Sequence, residues 1–375
     1  MNYFNEYTSN TVGAGANQFY FNMEKDEVRT GRIIYKIKAA GEYEYSFLFS
    51  NAMDSTYSDG KASHAGIDCG EWSILRAAAG RCKIKSGVSV TDMKMGENES
   101  CDAIAYDFRE LSFDATPSRR VMPNELFSSD AVRLHFDEGE YLCLEITYSG
   151  KMIPYHEETI LPTFVKCKEE WKYDRRIPFP SMIGCSRKAE KRIVFLGDSI
   201  TQGIGTRPNA YAHWCALLAD KLGDRYSYWN LGIGYARATD LYTNGSWMYK
   251  AKQCDVAFVC CGVNDIAQGI PEGKIKESLS FIVNTLNENG VTVILQTLPP
   301  VIYQKEEMAE KGKNVNDYIR SELKEKVALL FDISSYPLTE EETHSLVADT
   351  CHPNEKGSAV WADRLYEEIK KANLL

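Results

Sequence analysis

Residues 193–199 read Ile-Val-Phe-Leu-Gly-Asp-Ser, an unbroken apolar run that stops at a glycine and two polar side chains. A strand covered by helices on both faces of a parallel sheet has this signature, because none of its positions must meet water. The chain beyond residue 199 alternates between helix and strand. Pro208 opens a predicted helix whose Tyr211, Trp214, Leu218 and Leu222 recur at helical spacing, with Gly223 as its stop. Residues 226–232 and 256–262 read as further strands. A helix carrying Ile275, Leu279, Ile282 and Leu286 on one face closes at Gly290. A strand at 291–300, a helix at 314–327, a strand at 328–334 and a last helix from about Asn354 complete the alternation. The pattern specifies an α/β domain, a doubly wound three-layer parallel sheet.

The chain before it is built differently. Residues 32–39 (RIIYKIKA), 43–50 (YEYSFLFS) and 132–150 (VRLHFDEGEYLCLEITYSG) are short β-rich runs divided by turns, with no long amphipathic helix among them. In the last run Val132, Leu134 and Phe136 alternate with polar neighbours. Glu138-Gly139 can turn the chain, and Tyr141, Leu142, Leu144, Ile146 and Tyr148 form a return strand, so a hairpin is expected there. Strands of this kind suggest a β-sandwich, specifically a jelly roll. Residues 171–191 carry prolines, glycine and a basic cluster without periodicity, as a connector does. The expected domains are therefore 1–185, a β-sandwich accessory domain, and 186–375, the α/β domain. At 375 residues the chain exceeds what one hydrophobic core commonly serves.

Charge and cysteine usage exclude several functions. The formal net charge is −10, and no Lys/Arg block forms a stripe that could follow a phosphate backbone, so nucleic acid is not an expected partner. No stretch reaches the roughly 18 apolar residues that span a bilayer. The opening MNYFNEYTSN is neither basic nor followed by an apolar run, so a cytoplasmic protein without a membrane partner is expected. The 11 cysteines are odd in number, scattered and without a CxxC pair, which predicts reduced thiols and no disulfide framework or zinc site. No metal-ligand cluster and no glycine-rich phosphate loop followed by lysine is present, and no cofactor is called for.

In an open α/β sheet, ligands bind beyond the carboxyl ends of the strands. Four segments fall there: Gly197-Asp198-Ser199, Asn230-Leu231-Gly232-Ile233-Gly234, Gly262-Val263-Asn264-Asp265, and Asp349-Thr350-Cys351-His352-Pro353 before the last helix. In this order they resemble the conserved blocks of the SGNH (GDSL-type) hydrolase superfamily, over about residues 192–372. The chemistry agrees with the resemblance. A serine hydroxyl is a weak nucleophile until a base reaches it and a third group orients that base. The resemblance implies Ser199 as nucleophile, His352 as base and Asp349 as the orienting acid. It also implies an oxyanion hole made of the Ser199 backbone N–H, a backbone N–H of the second block and the Asn264 side-chain amide. Many relatives place glycine five residues after the asparagine of the second block, where this chain has Tyr235. Gly234 is taken as the donor, with Tyr235 as the alternative.

Other candidates read as structural. Asn230 fixes its loop, and Asp198 and Asp265 hold theirs by accepting backbone N–H bonds. His213 lies beside Trp214 inside a helix. His64, His135 and His156 fall in the β-rich half. His344 is the rival base, but it lacks the Asp-x-x-His arrangement. Cys260-Cys261 ends a buried strand.

The expected activity is serine carboxylic-ester hydrolysis through an acyl-enzyme. The β-rich front half resembles in arrangement the jelly-roll domain that precedes the hydrolase domain of some carbohydrate acetylesterases, which implies O-acetylated sugars or oligosaccharides as substrates. The alternatives are a lysophospholipase or acyl-thioesterase using the same triad, and a catalytically dead carbohydrate-binding protein. Partners beyond the ester substrate are limited to further copies of the chain, a homo-oligomer being left open.

Overall fold

A computed structural model of the chain describes residues 3–54, 69–242, 244–300, 305–335 and 340–375. The chain forms two compact units, Met1–Met53 with Gly66–Ala189, and Asp54–Ala65 with Glu190–Leu375. The stretch expected to be a connector belongs largely to the first unit. Glu170–Tyr173 and Met182–Cys185 are strands, and Pro178 and Pro180 lie between them, where no ladder N–H is required.

The first unit is β-rich. Its larger sheet runs in the order Glu170–Tyr173, Thr163–Cys167, Arg29–Lys36, Tyr141–Gly150, Trp72–Ile84, Ala103–Glu110 and Met95–Gly96, with Arg119–Val121 also paired to Trp72–Ile84. A smaller sheet sets Gly41–Ser50 between Met182–Cys185 and Leu126–Ser128, and Val132–Phe136 pairs with the start of the same central strand. The expected hairpin is thereby corrected. Val132–Phe136 lies in the smaller sheet, whereas Tyr141–Gly150 pairs with Arg29–Lys36 and Trp72–Ile84 in the larger one. The turn is present, with Gly139 at φ +80° and Glu140 N–H donating to Asp137 O at 3.2 Å, but it passes the chain from one sheet to the other. Glu140 anchors the crossing: its buried carboxylate accepts from Arg81 Nε at 2.7 Å and from the Tyr106 hydroxyl, both on strands of the larger sheet.

The second unit is the doubly wound α/β fold. Its strands β1 (Arg192–Gly197), β2 (Ser227–Gly232), β3 (Val256–Cys260), β4 (Thr292–Gln296) and β5 (Leu329–Phe331) pair in parallel in the order β2-β1-β3-β4-β5. This is the flavodoxin-like order. Its topological switch point lies between β1 and β3, where a crevice opens beyond the carboxyl ends of the strands. β1, β2 and β3 are buried almost throughout, as an apolar run covered on both faces requires. Trp214 and Trp361 stack at 5.6 Å between helices Trp214–Leu222 and Glu355–Ala372, while Glu272–Glu288 packs with Ala238–Leu241 and Glu306–Tyr318.

Two helix expectations are corrected. The helix assigned to start at Pro208 starts at Trp214; Tyr211 has φ +52°, outside helical space, and its ring is buried by tertiary packing. The helix assigned to 314–327 starts at Glu306, passes into a π turn at Ile319–Leu323, and ends in a 3₁₀ turn at Lys324–Lys326. Only Val315, Ile319 and Leu323 make a buried apolar stripe, so its first half carries little periodic signal. Among the described residues, no helix is long and apolar enough to cross a membrane. The eleven cysteines are free thiols.

Candidate active site

The carboxyl end of β1 delivers Ser199. A Cβ on Gly197 would collide with Cys260 O and Thr201 Oγ1, so glycine allows the turn to tuck against β3. Asp198 caps the short helix Ser199–Gln202 by accepting from Ile200 N–H at 3.0 Å, which sets Ser199 at the first helical position. There the main-chain N–H has no partner within the helix.

The acid and base arrive on one loop ahead of the final helix. Asp349 Oδ1 accepts the backbone N–H groups of Cys351 and His352, each at 2.9 Å, which folds the loop around the carboxylate. Asp349 Oδ2 lies 2.7 Å from His352 Nδ1, and His352 Nε2 lies 2.8 Å from Ser199 Oγ. The structure thus brings Ser199, His352 and Asp349 into one hydrogen-bonded chain. Burial pushes the Asp349 carboxyl up, but the two N–H donors and His352 outweigh it and hold the group below its ordinary value. It is therefore ionised at neutral pH and accepts from Nδ1–H, which leaves Nε2 as the basic nitrogen facing the serine.

Two residues to which the sequence reading gave no part in the site hold this loop. Asn354 caps the last helix through Gly357 N–H at 2.9 Å while its amide donates to Ser345 O at 3.0 Å and Val347 O at 3.2 Å, tying both ends of the loop together. Gly205, at φ +95°, lies against His352 Cβ and Pro353 O, where a side chain would displace the imidazole. The sequence places the start of the last helix at about Asn354, but the loop contacts of its side chain depend on the tertiary fold.

The second and third blocks meet beside Ser199. Asn230 accepts from Gly232 N–H at 2.8 Å and donates to Thr201 O at 2.9 Å, which fixes the loop as expected. Asp265 accepts from Ala238 N–H at 2.8 Å, Thr239 N–H at 3.2 Å and Thr239 Oγ1 at 3.0 Å, so it too has the expected structural job. Asn264 Nδ2 donates to Ala236 O at 2.9 Å, and an amide has a second N–H to offer. The assignment of Gly234 is corrected here: its N–H donates to Gln202 Oε1 at 2.6 Å and is committed to that buried side chain. Tyr235 comes next with φ +60°, in the left-handed region that favours glycine.

Burial dominates the neighbouring titratable groups. It pushes Asp198 up to about 7 and Asp265 up to about 6, against the N–H donors that lower both. It raises the Cys260 and Cys261 thiols, and burial with the nearby Asp349 charge pushes Cys351 up to about 12, so no thiolate competes with Ser199 at neutral pH. Among the described residues, Asp349, Cys351 and His352 are the one group of His, Cys and acidic side chains whose ligand-type atoms gather within 4.8 Å. The Asp349 oxygens and both imidazole nitrogens are already engaged in the hydrogen bonds above, an arrangement suited to proton transfer. A cavity of about 50 Å³ lies beside this loop, lined by Leu346, Val347, Cys351, Pro353 and Trp361, and Ser199 is not part of its wall.

The other histidines stand apart. His213 precedes helix Trp214–Leu222 as its N-cap residue instead of lying inside it, and burial pushes it down to about 4. His344 is exposed on helix Glu340–Leu346. His135 and His156 belong to the first unit, and His64 lies outside the described residues.

Residues 195–360 match the family described as GDSL-like Lipase/Acylhydrolase. No curated protein matches the chain significantly. Among solved structures, the chain is similar to an acetyl xylan esterase at 23% identity, covering 47% of this chain and 98% of that one, with a TM-score of 0.40. A variant of an acetyl-xylooligosaccharide esterase from Geobacillus matches at 19% identity over 49% of this chain and 95% of that one, TM-score 0.40. Protein YXIM of Bacillus subtilis matches at 14% identity over 91% of this chain and 81% of that one, TM-score 0.39.

Proposed function

We propose, from the premise that residues 195–360 are a GDSL-like lipase/acylhydrolase domain, that the protein is a serine carboxylic-ester hydrolase that removes acetyl groups from O-acetylated sugars. The observation that carries the catalytic reading is the position of His352, 2.7 Å from Asp349 and 2.8 Å from Ser199. Ser199 Oγ attacks the ester carbonyl as its proton passes to His352 Nε2. Asp349 holds the imidazole through Nδ1–H and stabilises the imidazolium that forms. Collapse of the tetrahedral intermediate expels the alcohol, which takes the proton from Nε2, and leaves an acyl group on Ser199 Oγ. Water, deprotonated by the same nitrogen, then releases the acid and restores the serine.

Negative charge on the carbonyl oxygen is met by fixed donors. These are the Ser199 main-chain N–H, the second N–H of the Asn264 amide and the main-chain N–H of Tyr235, since that of Gly234 is committed to Gln202. Asn264→Ala is expected to lower kcat on the order of 10²-fold or more with little change in KM, because the donor acts mainly in the transition state. Steady-state kinetics on p-nitrophenyl acetate would show it; a raised KM at constant kcat would make Asn264 a substrate-binding residue.

The sugar-acetate assignment is supported by the arrangement of a β-rich unit ahead of the hydrolase unit, as in the carbohydrate acetylesterases that the sequence resembles. It is tested by an acyl-length series. Acetate esters should exceed octanoate esters in kcat/KM, because a pocket shaped for a methyl group rejects added methylenes by overlap with its walls. A preference for octanoate would overturn it in favour of a lysophospholipase or thioesterase.

A further inference from the structure

The loop ahead of the last helix carries a carboxylate, a thiol and an imidazole, three groups that ligate Zn²⁺ and similar ions. The ligand-type atoms of Asp349, Cys351 and His352 lie within 4.8 Å of one another. Cys351 Sγ is 3.5 Å from His352 Nδ1 and 3.9 Å from Nε2, and Asp349 Oδ2 is 2.7 Å from Nδ1. Around a tetrahedral Zn²⁺ with its usual bond lengths, a sulfur and a nitrogen ligand stand about 3.5 Å apart, and an oxygen and a nitrogen ligand about 3.4 Å apart. The thiol and Nδ1 therefore already hold the spacing of two such ligands, and the carboxylate oxygen must withdraw from Nδ1 by roughly 0.7 Å.

The loop allows that movement. Asp349 Oδ1 accepts the backbone N–H groups of Cys351 and His352, each at 2.9 Å, so Oδ2 can change partner while the loop keeps its shape. Asp349 is exposed and Cys351 and His352 are half-buried, so an ion reaches all three from water, and a water molecule can fill its fourth position. The ligands fall within four consecutive residues, without the paired spacing of structural zinc sites, and the loop has its own hydrogen bonds. An ion thus enters a site that is already formed.

We propose that Asp349, Cys351 and His352 Nδ1 form an inhibitory site for a thiophilic divalent cation, Zn²⁺ in the first place, which switches off the catalytic base. Ligation takes the lone pair of Nδ1, so the proton carried there moves to Nε2, while the Cys351 thiol gives its proton to solvent; one proton is released for each ion bound. Nε2–H then donates to Ser199 Oγ, 2.8 Å away, and has no lone pair left to accept the hydroxyl proton. The inhibition rests on the triad reading above, whereas the binding of the ion does not.

The test titrates p-nitrophenyl acetate hydrolysis with Zn²⁺, and with Mg²⁺ for comparison, in the unsubstituted protein, Cys351→Ser and Cys351→Ala. Zn²⁺ should inhibit the unsubstituted protein and EDTA restore it, while Mg²⁺, which prefers oxygen ligands, should leave the rate unchanged. Loss of a group that merely orients a ligand lowers metal affinity roughly 10–100-fold, so loss of the thiolate itself should raise the half-inhibiting Zn²⁺ concentration at least about tenfold in both variants. Binding is read separately from the sulfur-to-metal charge-transfer absorption of Cd²⁺ in Ser199→Ala, which keeps all three ligands, and in Ser199→Ala combined with Cys351→Ser, where the absorption should fall.

Equal Zn²⁺ inhibition of the three proteins, or a Cd²⁺ absorption in Ser199→Ala that Cys351→Ser leaves unchanged, overturns the site. An absorption that depends on Cys351, in a protein that hydrolyses no ester, supports the ion site and counts instead against the esterase reading.

Discussion

Ser199→Ala is expected to lower kcat for ester hydrolysis on the order of 10⁶-fold while leaving the fold intact, and His352→Ala should be comparably damaging. The two act as a unit, since the hydroxyl is useless as a nucleophile without a base and the imidazole has nothing to activate without the hydroxyl. Ser199 lies at the first position of a four-residue helix whose cap is made by Asp198, so removal of its Oγ leaves the turn's own hydrogen bonds in place. Asp349→Asn should cost less, on the order of 10⁴-fold, because the asparagine retains an oxygen for the loop N–H groups but no longer favours the Nδ1–H tautomer. Kinetics on p-nitrophenyl acetate with circular dichroism of each variant would check this. Turnover by Ser199→Ala near the unsubstituted rate would remove Ser199 from the mechanism.

Lys250→Met is expected to destabilise the second unit by about 3–5 kcal/mol, measured as a fall in the urea unfolding midpoint. Lys250 and Asp54, both of that unit, form an ion pair at 2.8 Å with both side chains fully buried, and the Ser246 hydroxyl also donates to Asp54. The large effect comes from removing the cation beside a carboxylate that is out of reach of water. Asp54→Asn combined with Lys250→Met should recover much of the loss, because neither remaining side chain is charged. A midpoint shift equivalent to less than about 1 kcal/mol for Lys250→Met would show that water reaches the pair, since exposed pairs contribute only that much. Nothing in the sequence marks this pair. Asp54 lies 196 positions before Lys250, and neither sits in a motif.

The parallel strands were legible because their signal is local. Residues 193–197 and 256–260 are apolar at every position, and a run of that kind next to a helical period has few folds open to it. The three polar segments that follow β1, β2 and β3 were legible for the same reason, since the residues after a strand's carboxyl end are placed at the crevice, whereas the Asp349–Pro353 segment follows helix Glu340–Leu346. The hydrogen-bonded chain from Asp349 through His352 to Ser199 was implied by the resemblance of those segments to a known hydrolase family, although its distances were not.

Other features depended on groups that are distant in sequence. Val132–Phe136 and Tyr141–Gly150 have the alternation of a hairpin, but alternation marks which face of a strand is buried and not which strand it pairs with. The start of the helix at Trp214 was decided by the stacking of Trp214 on Trp361, and the burial of Tyr211 in a left-handed conformation excludes the preceding residues from it. The choice between Gly234 and Tyr235 as a main-chain donor turned on Gln202, 32 residues away, accepting one N–H. Propensity and periodicity are properties of a few neighbouring residues, so the sequence by itself determined the parallel strands, the polar segments that end them and the class of fold. Sheet partners, helix starts and the destination of each N–H were decided only by the tertiary structure, because each depends on an atom that the folded chain brings near from far along the sequence.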